Sequence, residues 1–258
     1  LITEEEIDRR VKKILKAKYW AGLHAYSPID TYKIADKLTT QNTTEVIEKL
    51  YGDAITVASN KNDLLPIGVL ELKKVASLSI GDEGGVFSTY LNQYTKVDHF
   101  SLPKASGEGA HYNLMKQLED YDVVLVGLMG VSNSPQRNFG IAPGDISLIR
   151  ELEKRQQVVT VLFGNVYASK FLEGLEHVVF AYENSPFTQK LVPQILFGAR
   201  PAKGILPVTV SQQFIQGVGG LLSPQNRLAY GSPESVGMNA EKLNKIDGLI
   251  AEMIALKA

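Results

Sequence analysis

The sequence contains no cysteine. That removes disulfide scaffolds, thiolate nucleophiles and Cys-ligated zinc or iron–sulfur centres, while leaving the redox compartment open. An excess of either charge is missing too, because 27 Lys+Arg against 28 Asp+Glu leave a formal −1. Without a basic excess there is little to displace counterions from nucleic acid, and no nucleic-acid partner is expected. Long apolar runs are also absent. Val123–Met129 and Val158–Phe163 are strand-sized, far short of the ~20 residues that cross a bilayer, so no membrane span is expected. The chain starts at Leu1 and continues acidic and helical, without the charged-then-apolar pattern of a signal peptide. It reads as a piece of something longer.

Chemical signatures are sparse as well. His24, His99, His111 and His177 are far apart and form no His-x-x-x-His pair, so no metal site is expected. His99 and His177 fall in or beside strand-like runs and read as core or edge histidines. There is no Walker A string and no Gly-x-Ser-x-Gly elbow. Gly107-Glu108-Gly109 lacks the third glycine of a dinucleotide fingerprint. Gly81-Asp82-Glu83-Gly84-Gly85 would place two carboxylates beside a pyrophosphate. No cofactor is expected.

What is present is an ordinary globular composition, 44% hydrophobic and 21% charged over 258 residues. As a prior that is about 1.7 domains, enough to bury roughly 70–75% of the unfolded surface without staples. Thr3-Glu4-Glu5-Glu6 reads as a capping box. Ile7, Val11, Ile14, Leu15 and Tyr19 follow at helical spacing, and Gly22 stops the helix. The basic residues between them, Arg9 to Lys18, read as a solvated face favoured near a helix C-terminus. From Ala54 to Tyr182, β-branched runs alternate with amphipathic stretches. Strands are expected at Ala54–Ser59, Lys74–Ile80, Val97–Leu102, Val123–Met129, Val158–Phe163 and Val178–Tyr182. Helices are expected at Thr43–Tyr51, Val86–Tyr94, Gly109–Glu119, Gly144–Arg155 and Thr188–Phe197. Runs that are apolar throughout suit parallel strands covered on both faces, so the fold class is α/β: a three-layer α/β/α sandwich with a mostly parallel sheet. After Gly204 the breaker clusters Gly217-Val218-Gly219-Gly220, Ser223-Pro224 and Gly231-Ser232-Pro233 read as linker. Asn239 caps a last helix with Leu243, Ile246, Ile250 and Met253 on one side. Both end helices carry apolar stripes suited to neighbouring domains.

Glu183 is the foremost candidate for chemistry. It ends a strand just before Asn184-Ser185-Pro186, where open α/β sheets place their ligands. Asn184, Asp82 and Glu83 are the candidate substrate contacts, and Asp82-Glu83 is also a possible acid/base pair. Such carboxylates equally decorate helix entries for electrostatic reasons.

Several strings in order resemble the C-terminal half of family 3 glycoside hydrolases. Ile7–Leu15 through Lys18-Tyr19-Trp20-Ala21-Gly22-Leu23 looks like the last helix of that family's catalytic barrel and its linker. Asn62-Asp63-Leu64-Leu65-Pro66-Ile67 resembles its Leu-Leu-Pro-Leu signature. Val123–Leu128, Val161-Leu162-Phe163-Gly164-Asn165, Phe180-Ala181-Tyr182-Glu183-Asn184, Leu196-Phe197-Gly198-Ala199 and Lys203-Gly204-Ile205-Leu206-Pro207-Val208 are similar to its later strands and closing motif. The resemblance covers roughly residues 1–230. Arg227-Leu228-Ala229-Tyr230-Gly231 and Ser232–Met238 look like the entry to a class C β-lactamase-like serine hydrolase domain, without any Ser-x-x-Lys.

The resemblance implies three pieces: residues 1–23 as the end of a barrel, 24–230 as the family's C-terminal α/β domain, and 231–258 as the truncated start of a serine-hydrolase-like domain. It implies as partners an N-terminal barrel of the same chain and the carbohydrate substrate of the parent. It also implies a bacterial parent, for which a periplasmic or extracellular setting would be in keeping. Family 3 enzymes retain configuration, with the Asp nucleophile on the barrel. Glucosidase-type members take an acid/base Glu from the α/β domain, whereas β-N-acetylhexosaminidase-like members use a barrel-loop His. Here the glucosidase pattern Pro-Gly-x-Glu-Gly is replaced by Ala181-Tyr182-Glu183-Asn184-Ser185. The implied parent activity is therefore hydrolysis of terminal β-N-acetylhexosaminides, with this piece non-catalytic. The alternatives are a β-glucosidase-type domain using Glu183, or a nucleotide- or flavin-binding α/β module.

Overall fold

A computed structural model describes residues 2–28, 30–225 and 227–256. The chain divides into two compact units, Leu1–Thr44 and Glu45–Ala258. In the first, α1 (Glu4–Trp20) begins where the Thr3 hydroxyl accepts a bond from the Glu6 amide, 3.3 Å away. It ends before Gly22, whose φ of 77° is the left-handed conformation that closes helices. A short helix α2 (Ile34–Leu38) follows, and α3 (Gln41–Ala54) leads into the second unit.

The second unit is built on one six-stranded sheet: β1 (Thr56–Asn60), β2 (Val75–Ile80), β3 (Val97–Leu102), β4 (Val123–Leu128), β5 (Gln157–Leu162) and β6 (His177–Phe180), in the order β1-β6-β5-β4-β2-β3. Strands β2 to β6 pair in parallel, while β1 pairs antiparallel to β6 through an irregularity between Val57 and Ser59. Central strands β2 and β4 are buried at every position; β4 reads as an unbroken apolar run, while β2 buries Ser77 and Ser79 among its apolar residues. Edge strand β3 buries Val97 and Leu102 at its ends and exposes Asp98 and His99 between them, charge and polarity that discourage further pairing.

Alternate side chains supply two cores. Ala76, Leu78, Val124, Val126, Val158 and Phe180 pack with Leu114 of α5 (Glu108–Gln117) and Ile149 and Leu152 of α6 (Pro143–Glu153). Val75, Val123, Leu125, Val159, Val161 and Val179 pack with Phe87 of α4 (Gly85–Leu91) and Leu191 and Ile195 of α7 (Pro186–Leu196). The three layers expected from the sequence are present.

The stretch after Gly204 departs from its reading as linker. Leu206 and Phe214 are fully buried, and bridges join Ala202 to Leu222 and Ile205 to Gly219. Its glycines serve close approach. A side chain on Gly204 would collide with the carbonyls of Ala54 and Ile55, and one on Gly219, at φ 108°, would meet Thr56 and the Gly204 carbonyl. The segment covers the outer side of β1. The last helix, α8 (Ala240–Ala255), starts where the Asn239 side chain accepts from the Lys242 amide at 2.9 Å. Neither α1 nor α8 buries a residue, so their apolar stripes are not packed on a core.

Candidate functional site

Parallel order reverses between β2 and β4, since β3 lies on one side of β2 and β4 to β6 on the other. Open α/β sheets bind ligands at the carboxyl ends of strands beside such a reversal. Asp82 and Glu83 follow the carboxyl end of β2, and Glu183 and Asn184 follow that of β6, yet the structure sorts them into different roles.

Asp82 and Asn184 come together. The Asn184 amide donates to Asp82 at 3.4 Å, and its oxygen accepts from the Gln189 amide at 2.7 Å. Gln189, 8% exposed, in turn accepts from the Phe87 backbone N–H at 3.1 Å. This chain ties the loop after β2 to the start of α7 and satisfies a buried amide of α4. The remaining Asp82 oxygen accepts from the Glu83 N–H at 2.7 Å, shaping the turn. Gly84, at φ 62°, faces the Ser79 hydroxyl so closely that no other residue fits. Glu83 is exposed and its carboxylate joins none of these bonds among the described residues.

Glu183 is placed elsewhere. Tyr182, two residues after β6, has φ 65°, a strained conformation for a bulky residue. Its hydroxyl is held by Thr56 at 2.7 Å, and burial pushes that phenol up from its ordinary pKa. Beyond this bend the Glu183 carboxylate meets the Tyr51 hydroxyl of α3, which donates to it. The Glu183 carbonyl accepts from Thr188 at 2.7 Å. Ser185 and Thr188 then form a reciprocal capping box opening α7.

The reversal itself is filled by a side chain that sequence reading passed over. Lys104, after β3, runs across the end of β2 beneath Gly81 and donates to the Gly130 carbonyl beyond β4. Burial lowers its pKa, an effect partly opposed by Asp145. Asp145, 1% exposed in the first turn of α6, accepts from the Ala105 N–H at 3.3 Å. Its other oxygen lies 3.7 Å from His111 Nε2, beyond hydrogen-bond reach, and neither atom has a hydrogen-bond partner among the described residues. Only the Pro143-Gly144-Asp145 helix entry could have flagged Asp145. The loop after β4, from Gly130 to Pro143, carries no Asp or Glu.

The other histidines have structural settings. His99 bonds Ser77 and Asn92, each at 2.6 Å, and His177 is 5% exposed inside β6. His24 stacks on Tyr19 with ring centroids 4.1 Å apart. Among the described residues no three His, Asp or Glu side chains converge as a metal site would require.

The sequence matches no protein-family model and no curated protein. Solved structures do match. A glycoside hydrolase family 3 β-N-acetylglucosaminidase from Paenibacillus sp. FPU-7 overlays with TM-score 0.57 and 19% identity, over 81% of this chain and 40% of that one. A β-glucosidase from Listeria innocua overlays with TM-score 0.61 and 16% identity, over 82% and 33%. A fungal multi-domain family 3 β-N-acetylglucosaminidase overlays with TM-score 0.54 and 17% identity, over 86% and 24%. The chain has the fold of one part of these enzymes. It spans well under half the length of each. The neighbours include enzymes named for β-glucosides and for β-N-acetylglucosaminides alike, so the shared fold does not by itself select a sugar.

Proposed function

We propose that this chain is the accessory C-terminal α/β domain of a family 3 glycoside hydrolase whose full form cleaves terminal β-N-acetylhexosaminides, and that the domain contributes no catalytic group. The observation carrying this reading is the position of Glu183, bonded to Tyr51 of α3 and separate from the Asp82–Asn184 pair. Retaining hydrolysis needs a nucleophile and an acid/base group about 5–5.5 Å apart around one anomeric carbon. Among the described residues Glu183 has no such partner in its groove, and the loop after β4 carries no carboxylate, so this domain by itself supplies at most one of the two groups. Asp82 and Asn184 hold the rim together and would present that rim to a barrel carrying the nucleophile. Residues 1–23 would be the barrel's last helix, and residues 231–258 the start of a serine-hydrolase-like domain.

A β-glucosidase-type role keeps one point in its favour, the TM-score of 0.61 for the Listeria enzyme. The nucleotide-binding alternative has a reversal crevice already filled by Lys104. Aryl N-acetylglucosaminide and aryl glucoside assays separate the first two. The chain alone is expected to turn over neither. In the longer enzyme, Glu183→Gln is expected to lower turnover only slightly. A loss of ~10²–10⁴-fold would assign general acid catalysis to Glu183 and overturn the non-catalytic reading.

A further inference from the structure

The Tyr51–Glu183 contact closes one end of a groove between α3 and the start of α7. The groove has a volume of about 530 Å³ and is walled by Ile47, Leu50, Tyr51, Pro186 and Phe187, with Glu183 as its charged member. That volume lies within the range of small-molecule sites, ~300–1,000 Å³. The Tyr51 and Phe187 rings lie nearly parallel, 15° between planes and 6.3 Å between centroids. Leu50 is 65% exposed, so the apolar wall is open to solvent.

Three features make this more than a surface depression. The backbone reaches it through the strained Tyr182, whose ring is locked by Thr56, and strain of about 1–3 kcal/mol collects at sites that use it. Tyr51 orients one oxygen of Glu183, while the other has no hydrogen-bond partner among the described residues. The neighbouring charges of α3 are already matched, Lys49 with Asp53 and Glu48 with Lys190, both at 2.6 Å. Glu183 pairs with no cation among the described residues.

We propose that this groove binds small arylalkylamines, the ammonium on Glu183 and the ring between Leu50 and Phe187. The lining selects that chemistry. A polyhydroxylated ligand would turn hydroxyls toward carbon without partners. An anion would meet the Glu183 carboxylate. A single cation attached to an apolar ring leaves nothing unpaired, and the faces of Tyr51 and Phe187 attract the same charge.

The test titrates the full chain with phenethylamine, phenethyl alcohol and N-acetylglucosamine, followed through backbone amide NMR signals. Phenethylamine is expected to shift the amides of residues 47–54 and 183–187 with a Kd of about 1 mM or tighter. The alcohol, which has the same ring without the charge, is expected to bind at least about fivefold more weakly, and added salt should narrow that gap. Glu183→Gln should abolish the preference for the amine. Tyr51→Phe, which keeps the ring and the carboxylate, should retain it. Equal affinity for amine and alcohol in the unmodified chain would overturn the assignment. So would preferential binding of the sugar, shifts elsewhere, or no saturable binding by about 20 mM. The comparison in the unmodified chain decides even if a variant fails to fold.

Discussion

His99 has both ring nitrogens engaged, Nδ1 with the Ser77 hydroxyl and Nε2 with the Asn92 side-chain nitrogen. Asn92 Oδ1 already accepts from the Val97 N–H at 3.0 Å, which fixes the Asn92 amide as donor and requires an unprotonated Nε2. A second proton would break that contact. His177 is buried in β6, and burial lowers the pKa of both rings below the ordinary value near 6.5. The folded state therefore resists protons that the unfolded chain accepts, and stability must fall as pH drops through the unfolded value. The melting temperature should decline between about pH 7.5 and about pH 5.5, and His99→Gln should flatten that slope. An unchanged slope in His99→Gln would remove His99 from this account. Gly204 offers a second residue-scale test. Gly204→Ala forces a methyl into the Ala54 and Ile55 carbonyls, and should lose about 2–4 kcal/mol by urea denaturation. Gly248→Ala, in α8 with open space around it, should instead raise helix content, since alanine is favoured by about 1 kcal/mol in a helix interior.

Helices α4 and α7 are joined through Gln189, so the element scale has its own prediction. Gln189→Leu removes the acceptor of the buried Phe87 N–H and the donor to Asn184. The expected loss is about 1–3 kcal/mol in denaturant unfolding, with the loop around Asp82 loosened at the same time. This scale also shows where sequence reading succeeds and fails. All six strands and the five intervening helices lie within a few residues of their sequence positions, because strands covered on both faces are dominated by β-branched and other apolar residues. The antiparallel direction of β1 was invisible, since a five-residue strand carries no mark of direction and its partner β6 lies far along the chain. The glycines near 204 and 219 look alike in a linker and in a tight crossing, and only the carbonyls they approach tell the two apart. At the site, Asp82 and Asn184 were legible as strand-end residues. Lys104 was not, because a lone lysine after a strand usually points to solvent. Tyr51 was not either, because its link to Glu183 is made only by the fold.

Across the whole molecule, burial concentrates in the sheet and its flanking helices and is absent from both end helices. Ile246, Leu249, Ile250 and Met253 of α8 are 47–60% exposed. Amide hydrogen exchange should therefore be slowest in β4 and β5 and faster by orders of magnitude in α1 and α8. Protection of α8 equal to that of β4, in a sample shown to be monomeric, would contradict this distribution. The antiparallel pairing of β1 with β6 has a further consequence, in time. During synthesis, β1 leaves the ribosome before the other strands of this sheet, yet its partner Phe180 of β6 follows Thr56 only after most of the sheet has been made. At about 5–20 residues per second, that interval is roughly 6–25 s. The β2–β4 core can assemble meanwhile from near neighbours, whereas β1 and the adjoining end of α3 must wait as an unpaired strand and a bare helix face. Newly made chains should thus pass through a state in which this first segment is the part open to chaperones and proteases, and the sheet closes last at the edge that was made first.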